Sequence, residues 1–311
     1  YSTKRMPRIK YKDNHWLNLV KPSDEEILSL KKRYRFHTLD LEDCLSESQR
    51  PKIDEYDNYL FIILQFPYYN RRTRHIATEQ VNIFIGQNYL ITIHDGHIDE
   101  LNKIFEKCKK SIKKKELFFG KSTGYLLYSV ISNLFSSSFS ITDKTQINLK
   151  NIEQAIFETA HVKDQLFDIM VTKKNIITLR KIVLPQRTVI AALEHKQKKF
   201  LPEHLEIYFD DVVDHIEKLW NILDTQKEII ESLEDTNESL LSHKINNTMR
   251  TLTVFSVIML PLTFLTGLFG MNVHLPFKEA LANIEHFWSI IFAMAVIVVL
   301  MFGIFKWNKW I

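Results

Sequence analysis

The strongest constraint on this chain is a pair of long uncharged runs at its C-terminal end. Residues 251–269 (TLTVFSVIMLPLTFLTGLF) and 287–305 (FWSIIFAMAVIVVLMFGIF) each extend nineteen residues without a charge. At about 1.5 Å per helical residue each spans roughly 28 Å, close to the ~30 Å hydrocarbon core of a bilayer. Both lie at the wrong end for a signal peptide. The seventeen residues between them, 270–286, predict a two-span hairpin with both ends on one side. Lys244 and Arg250 precede the first span, and Lys306 and Lys309 follow the second. The loop carries a single Lys278 against Glu279 and Glu285. Positive flanks predict that the N- and C-termini are cytoplasmic and that the loop faces out. Trp288 and Trp307 fall near the ends of the second span, where interfacial aromatics are expected.

Almost all the charge lies before residue 251. Over the whole 311-residue chain, 41 basic residues nearly balance 37 acidic ones, a net of +4. That balance argues against a dedicated nucleic-acid binder. Cys44 and Cys108 are isolated, which argues against a disulfide framework and a structural zinc site. No GxxxxGK[ST] phosphate loop is present, and no enzyme chemistry is expected. A first residue of Tyr1 rather than Met predicts that a residue or segment has been removed.

Residues 1–121 read as an α/β domain. Strands are expected at 16–20, 59–68, 80–85 and 89–94, the last two joined around Gly86-Gln87-Asn88. Ser23 before Asp24-Glu25-Glu26 reads as a helix N-cap, and 98–115 as one helix with a basic end. From 122 the chain is nearly free of glycine, which predicts long helices at 122–170 and 171–199 within a 122–202 segment. A stalk helix follows at 203–250 and runs on into the first span.

Two stripes mark that stalk. Leu205, Phe209, Val212, Ile216, Leu219, Leu223, Gln226, Ile230, Leu233, Asn237 and Leu240 alternate spacings of four and three, and nine of the eleven are apolar. This heptad seam predicts packing along partner helices, in an oligomeric stalk about 100 Å long. Farther on, Asn246, Met249, Leu252, Ser256, Leu260, Thr263 and Gly267 recur every three or four residues. Met249, Leu252 and Leu260 suit a constriction that gates by dewetting, while Ser256 and Thr263 offer hydroxyl oxygens. Asp211 and His215, four apart, have the spacing to share a transition metal.

The first span ends Gly267-Leu268-Phe269-Gly270-Met271-Asn272, with Pro261 and Thr263 upstream. This resembles the CorA magnesium channels, with Gly-Met-Asn at the outer end of the first of two C-terminal spans. Residues 208–215 (YFDDVVDH), Gln49-Arg50-Pro51-Lys52 and Glu79-Gln80-Val81 resemble the family's stalk and N-terminal domain. The resemblance implies a funnel-shaped homopentamer of α+β and α-helical parts in a cell inner membrane. Its regions are a cytoplasmic α/β domain, long helices, a stalk, transmembrane helices at 251–269 and 287–305, an outer loop at 270–286 and a basic tail at 306–311. It implies Mg²⁺ as both cargo and regulator, with Co²⁺ or Ni²⁺ also admitted and no organic cofactor. Gly270, Met271 and Asn272 become the selectivity filter, and the Asn246–Gly267 stripe the ion path. Asp211 and Asp99, from neighbouring subunits, become ligands of a regulatory Mg²⁺ that holds the channel closed. Glu279 and Glu285 become attractors of cations at the mouth.

The chemistry suits that assignment. Mg²⁺ dehydrates reluctantly, so a pore admitting it should meet the hydrated ion with neutral oxygens. Asn272 offers a side-chain carbonyl, and Gly270 lets a backbone carbonyl approach the axis. This chain departs from the family in having Phe269 for the usual Tyr and Leu260 for a common Met. Its outer segment 273–279 matches loosely. A relative moving Co²⁺, Ni²⁺ or Zn²⁺ is one alternative; zinc selection favours His or Cys, and the stripe has neither, leaving His274 as the nearby candidate. A membrane-anchored scaffold that conducts nothing is the other. Polar groups in a span are costly without a role, which counts against it.

Overall fold

The structure is a computed structural model that describes residues 7–46, 48–120, 122–157, 162–194, 200–202, 205–271, 284–308 and 310. The chain divides into two compact units, Tyr1–Glu234 and Asp235–Ile311.

The first unit is built on a six-stranded sheet in the order β1-β2-β6-β5-β4-β3. The strands are β1 (Arg8–Tyr11), β2 (Asn14–Val20), β3 (Lys52–Glu55), β4 (Tyr59–Asn70), β5 (His75–Gly86) and β6 (Tyr89–His94). Only β2 and β6 pair in parallel; the other neighbours are antiparallel. β4 and β5 form a twelve-residue hairpin, from Tyr59 opposite Gly86 to Asn70 opposite His75. β4 is apolar almost throughout because both sheet faces are covered, so it lacks the alternation of a half-buried strand. On one face Phe61, Ile63, Phe84, Ile91 and Ile93 pack against α1 (Asp24–Tyr34) and α2 (Thr38–Leu45). On the other, Trp16, Leu60, Ile62, Leu64, Val81 and Ile83 pack against the remaining helices.

Local chemistry sets the element ends. Ser23 and Glu26 make a reciprocal capping box: Glu26 N–H donates to Ser23 Oγ at 3.3 Å and Ser23 N–H to Glu26 Oε2 at 2.9 Å. Arg35 closes α1 in the left-handed region at φ 58°. The expected single helix at 98–115 is two, α3 (Asp99–Lys110) and α4 (Ile112–Phe119). Ser111 is extended between them and its Oγ accepts from Lys114 N–H at 3.3 Å, so it caps a new helix rather than continuing the old one. β1, β3 and α2 carry no strong periodic signal and were not expected.

The long helices are α5 (Thr123–Phe157), α6 (Val162–Glu194) and α7 (Glu206–Gly270). Residues 162–170 therefore belong to α6 and not to the helix expected over 122–170, and no glycine or proline stands at 170 to mark an end there. α6 also carries Pro185 inside it without ending there. The heptad seam of α7 is real but its partner differs from expectation. From Leu205 to Leu223 its apolar positions join the core formed with α5, α6 and the sheet. Ile230 and Leu233 join a smaller cluster with Leu149, Ile152 and Ile156 of α5 and Ile169 and Ile176 of α6. As far as Leu233 the seam is filled within one chain and requires no second copy, whereas Leu240 at its end is exposed.

The second unit holds the C-terminal part of α7 and α8 (Ile284–Trp307), two helices long and apolar enough to cross a membrane. Each has one partly covered seam. On α7 it is Val254, Ile258, Pro261, Leu265 and Leu268, with Leu262 beside them; on α8 it is Ile290, Met294, Ile297, Met301 and Phe305, with Val298 beside them. Spacings of three and four place each set along one side of its helix.

Candidate functional site

The sequence-predicted ion path lies on α7 at Asn246, Met249, Leu252, Ser256, Leu260, Thr263 and Gly267, and all seven are exposed in the single chain. Their position relative to the covered seam is informative. Ser256, Leu260, Thr263 and Gly267 each sit two residues after a member of that seam: Val254, Ile258, Pro261 and Leu265. Two residues correspond to roughly 200° around a helix. The stripe therefore lies diametrically opposite the side that the chain itself covers.

Its hydroxyls are oriented by the helix. Ser256 Oγ donates to the Leu252 carbonyl at 2.9 Å, and Thr263 Oγ1 to the Met259 carbonyl at 2.9 Å. With their protons committed inward, both oxygens keep lone pairs directed away from the backbone, as acceptors. Pro261, inside the helix, has no N–H to donate and leaves the Val257 carbonyl without its usual partner. At Gly267 and Gly270 an added Cβ would meet nothing within 4 Å. Among the described residues nothing in one chain explains glycine at either position. α7 ends at Gly270, where Met271 N–H reaches the Leu268 carbonyl at 3.4 Å. Asn272 and Glu279 lie outside the described residues, as does the side chain of Glu285.

The two acids expected to regulate lie in the first unit. Asp211 is on α7, its side chain 53% exposed, and Asp99 is the exposed first residue of α3. Among the described residues no hydrogen bond or ion pair joins them within one chain. Asp211 Oδ1 stands 4.0 Å from His215 Nε2. His215 lies edge-on to Phe139 and its Nδ1 is buried without a hydrogen-bond partner among the described residues. Among the described residues no three or more His, Cys, Asp or Glu gather to hold a metal, so Asp211 and His215 stand as a pair only. Several acids farther along α7 are paired. Glu217, Asp224 and Glu234 pair with Arg187, Arg180 and Lys173 of α6 at 2.5, 2.6 and 2.5 Å. Asp210, Asp211 and Asp214 have no Lys or Arg partner among the described residues. α7 thus presents an uncompensated acidic stretch at 210–214 beside a partly compensated one.

Sequence reasoning missed a buried polar chain that reaches the base of Asp99. Trp16 Nε1–H donates to Thr92 Oγ1 at 3.1 Å, and Thr92 Oγ1–H to Asn18 Oδ1 at 2.7 Å. His94 Nε2 stands 3.2 Å from the same Asn18 oxygen, and His94 Nδ1 3.4 Å from Glu79 Oε1. Burial pushes the Glu79 carboxyl up. The hydrogen bond and charge of His94 and the backbone N–H groups of His97 and Gly96 outweigh it and hold the group below its ordinary value. The one signal in the sequence was Glu79 in a strand whose alternate positions, Val81 and Ile83, are core.

Comparison with known proteins identifies the family. The family model described as "CorA-like Mg2+ transporter protein" matches residues 11–306. The cobalt/magnesium transport protein CorA of Thermotoga maritima is 28% identical over 95% of this chain and 83% of its own length. That of Methanocaldococcus jannaschii is 26% identical over 99% of this chain and 95% of its own. The solved structure of the CorA magnesium transporter from Methanocaldococcus jannaschii superposes with a TM-score of 0.84, covering 97% of this chain and 94% of that one at 25% identity. Zinc transport protein ZntB of Photorhabdus laumondii is also similar, 22% identical over 84% of this chain and 78% of its own length. With a family model spanning nearly the whole chain and a full-length structural match, the chain belongs to the CorA-like Mg²⁺ transporter family and is a transporter of divalent metal ions.

Proposed function

We propose that the chain is one subunit of a homopentameric Mg²⁺ channel in a cell inner membrane, with both termini in the cytoplasm. The observation that carries this reading is the exposed stripe from Asn246 to Gly267, opposite the seam that one chain covers for itself. Copies arranged about an axis would place those stripes around a common path. Glycines 267 and 270, unexplained by any contact among the described residues, are then the places where neighbouring backbones or the hydrated ion come close. Past Gly270, Met271 and Asn272 complete a ring of neutral oxygens that meets Mg²⁺ with its water still attached. Glu279 and Glu285 draw cations toward that ring. An inside-negative potential favours entry by about 2.3 kcal/mol per charge per 100 mV, or roughly 4.6 kcal/mol for Mg²⁺, so influx needs no ATP.

Closure follows from the acidic stretch of α7. Asp211 of one subunit and Asp99 of its neighbour repel as bare carboxylates and are bridged by Mg²⁺ when the ion is abundant. Ion binding then biases the closed arrangement. The similarity to proteins named for cobalt and for zinc supports a second reading, in which the same neutral ring passes Co²⁺, Ni²⁺ or Zn²⁺.

The test is Mg²⁺ flux into liposomes holding the purified full-length protein, beside Asn272→Ala. Flux lost in an assembled Asn272→Ala variant is the expected result. Absence of Mg²⁺ flux from assembled parent protein with internal Mg²⁺ removed would overturn the reading. Zn²⁺ or Co²⁺ flux without Mg²⁺ flux would favour the second.

A further inference from the structure

A chain that crosses a bilayer twice returns to the face it entered from, and here the charges at that face are one-sided. Lys244 and Arg250 precede the first uncharged run, and Lys306 and Lys309 follow the second. No Asp or Glu occurs between Glu238 and Glu279, or after Glu285. The opposite face carries Lys278 against Glu279 and Glu285. Arg250 and Lys306 each adjoin an uncharged run directly, which sets them at headgroup depth.

The fold itself uses neither cation. Arg250 is exposed in the interior of α7, where no helix terminus calls for a charge. The residues three and four away on either side are Asn246, Asn247, Thr253 and Val254, none of them acidic. Lys306 stands in the last turn of α8, where a lysine often serves the free carbonyls. Here the backbone serves them instead. Asn308 N–H donates to the Ile304 carbonyl at 3.0 Å, and Trp310 N–H to the Phe305 carbonyl at 2.9 Å. The second bond folds the chain back so that the Trp310 ring stacks on Phe305, with centroids 5.9 Å apart. Trp307 is 87% exposed and Trp310 44%. Among the described residues neither Arg250 nor Lys306 has an acidic partner, and two exposed indoles accompany the ammonium.

We propose that Arg250 and Lys306, with Trp307 and Trp310, make this face of the membrane unit a binding surface for anionic phospholipid headgroups. The inference rests on both helices crossing the bilayer and requires neither the pentamer nor Mg²⁺. A guanidinium forks onto two phosphate oxygens, and an ammonium meets the same group as a point charge. Indole rings settle in the interfacial layer with their N–H groups toward polar acceptors. A zwitterionic headgroup brings its own cation beside the phosphate, whereas an anionic one leaves a charge for the protein to meet. Each Lys or Arg near such a surface contributes roughly fivefold in affinity.

The experiment places full-length protein in phosphatidylcholine vesicles and reads quenching of tryptophan emission by lipids with brominated acyl chains. All variants carry Trp288→Phe, which removes the reporter at the start of α8, while Trp16 and Trp220 of the first unit give a constant background. Brominated phosphatidylglycerol, added as a minor component, should quench more strongly than brominated phosphatidylcholine at the same fraction. Arg250→Gln and Lys306→Gln should each cut that preference by up to about fivefold, Arg250→Lys should retain it, and high salt should weaken it. Lys306→Gln, near the chain end, serves where Arg250→Gln yields no assembled protein. Equal quenching by the two lipids, or a preference kept in full by both glutamine variants, overturns the inference. Loss of the preference on adding inorganic phosphate at constant ionic strength assigns the cations to a soluble anion and overturns it as well. No quenching by either lipid overturns the crossing of the bilayer, and this inference with it.

Discussion

Gln226 Nε2 donates to the main-chain oxygen of Thr142 at 3.1 Å, and so places an amide in a mostly apolar seam between α7 and α5. The same nitrogen reaches Gln146 Oε1 at 3.1 Å, while Gln226 Oε1 is buried with no partner among the described residues. Gln226→Leu should fill the seam and remove that unpaired oxygen, raising stability by up to about 1 kcal/mol. Gln226→Ala should lose about 1–3 kcal/mol. Urea unfolding of the full-length protein in detergent distinguishes them. A loss with Leu as large as that with Ala would show that the amide itself is required.

Leu260 is the most exposed apolar residue of the stripe, at 71% in the single chain. If it lines a path closed by dewetting, Leu260→Ser should admit water and raise flux about tenfold in the absence of Mg²⁺ on the soluble-domain side. Phe264→Ser, off the stripe and 66% exposed, should leave flux near that of the parent. Equal effects in liposome flux would remove the distinction between stripe and flank.

Asp211 and Asp224 share a helix but differ in company. Asp224 is paired with Arg180 at 2.6 Å, whereas Asp211 has no Lys or Arg partner among the described residues. Asp211→Asn should raise the Mg²⁺ concentration for half-closure roughly tenfold, equivalent to about 1.4 kcal/mol. Asp224→Asn should leave it in place. Flux measured against Mg²⁺ concentration reads both.

His15 gives the soluble unit a mild acid sensitivity. Burial, then the charges of Arg8, Arg33 and Lys10, lower its pKa from 6.5 to about 4. The unfolded chain therefore binds a proton that the folded chain refuses across that window. Stability is full above about 6.5 and declines as pH falls toward about 4. The side chain is partly exposed, so the loss should be about 1–2 kcal/mol, below the full linkage value. His15→Gln, which can keep a hydrogen bond to Tyr34, should flatten the decline in thermal unfolding between those limits.

The membrane helices and the α7 seam were legible in sequence because each rests on a sustained pattern: nineteen uncharged residues, or eleven positions at strict spacing. The partner of the seam was not. Leu149 and Ile176, which help fill it, lie some fifty to eighty residues away, and nothing local announces which helix an apolar face will meet. The boundary between α5 and α6 escaped for the opposite reason, having no proline or glycine to mark it. At the candidate site, Asp211 and the Asn246–Gly267 stripe could be named from helical spacing and resemblance. The polar chain around Glu79 could not, because it depends on Gly96 and His94 arriving beside that residue through strand pairing. β5 and β6 pair from Asn82 to Ile85, and the turn beyond that pairing brings the three together.

The two cysteines have a practical consequence. Burial pushes the Cys44 thiol far above its ordinary range and Cys108 up to about 11, so neither is a ready thiolate near neutral pH. The parent protein is thus already close to a thiol-silent background. A single cysteine substituted in turn at Asn246, Ser256, Thr263 and Gly267 can be treated with a water-borne maleimide, without first stripping the native sulfurs. The order in which those positions react would chart how far water penetrates along α7, one helical turn at a time.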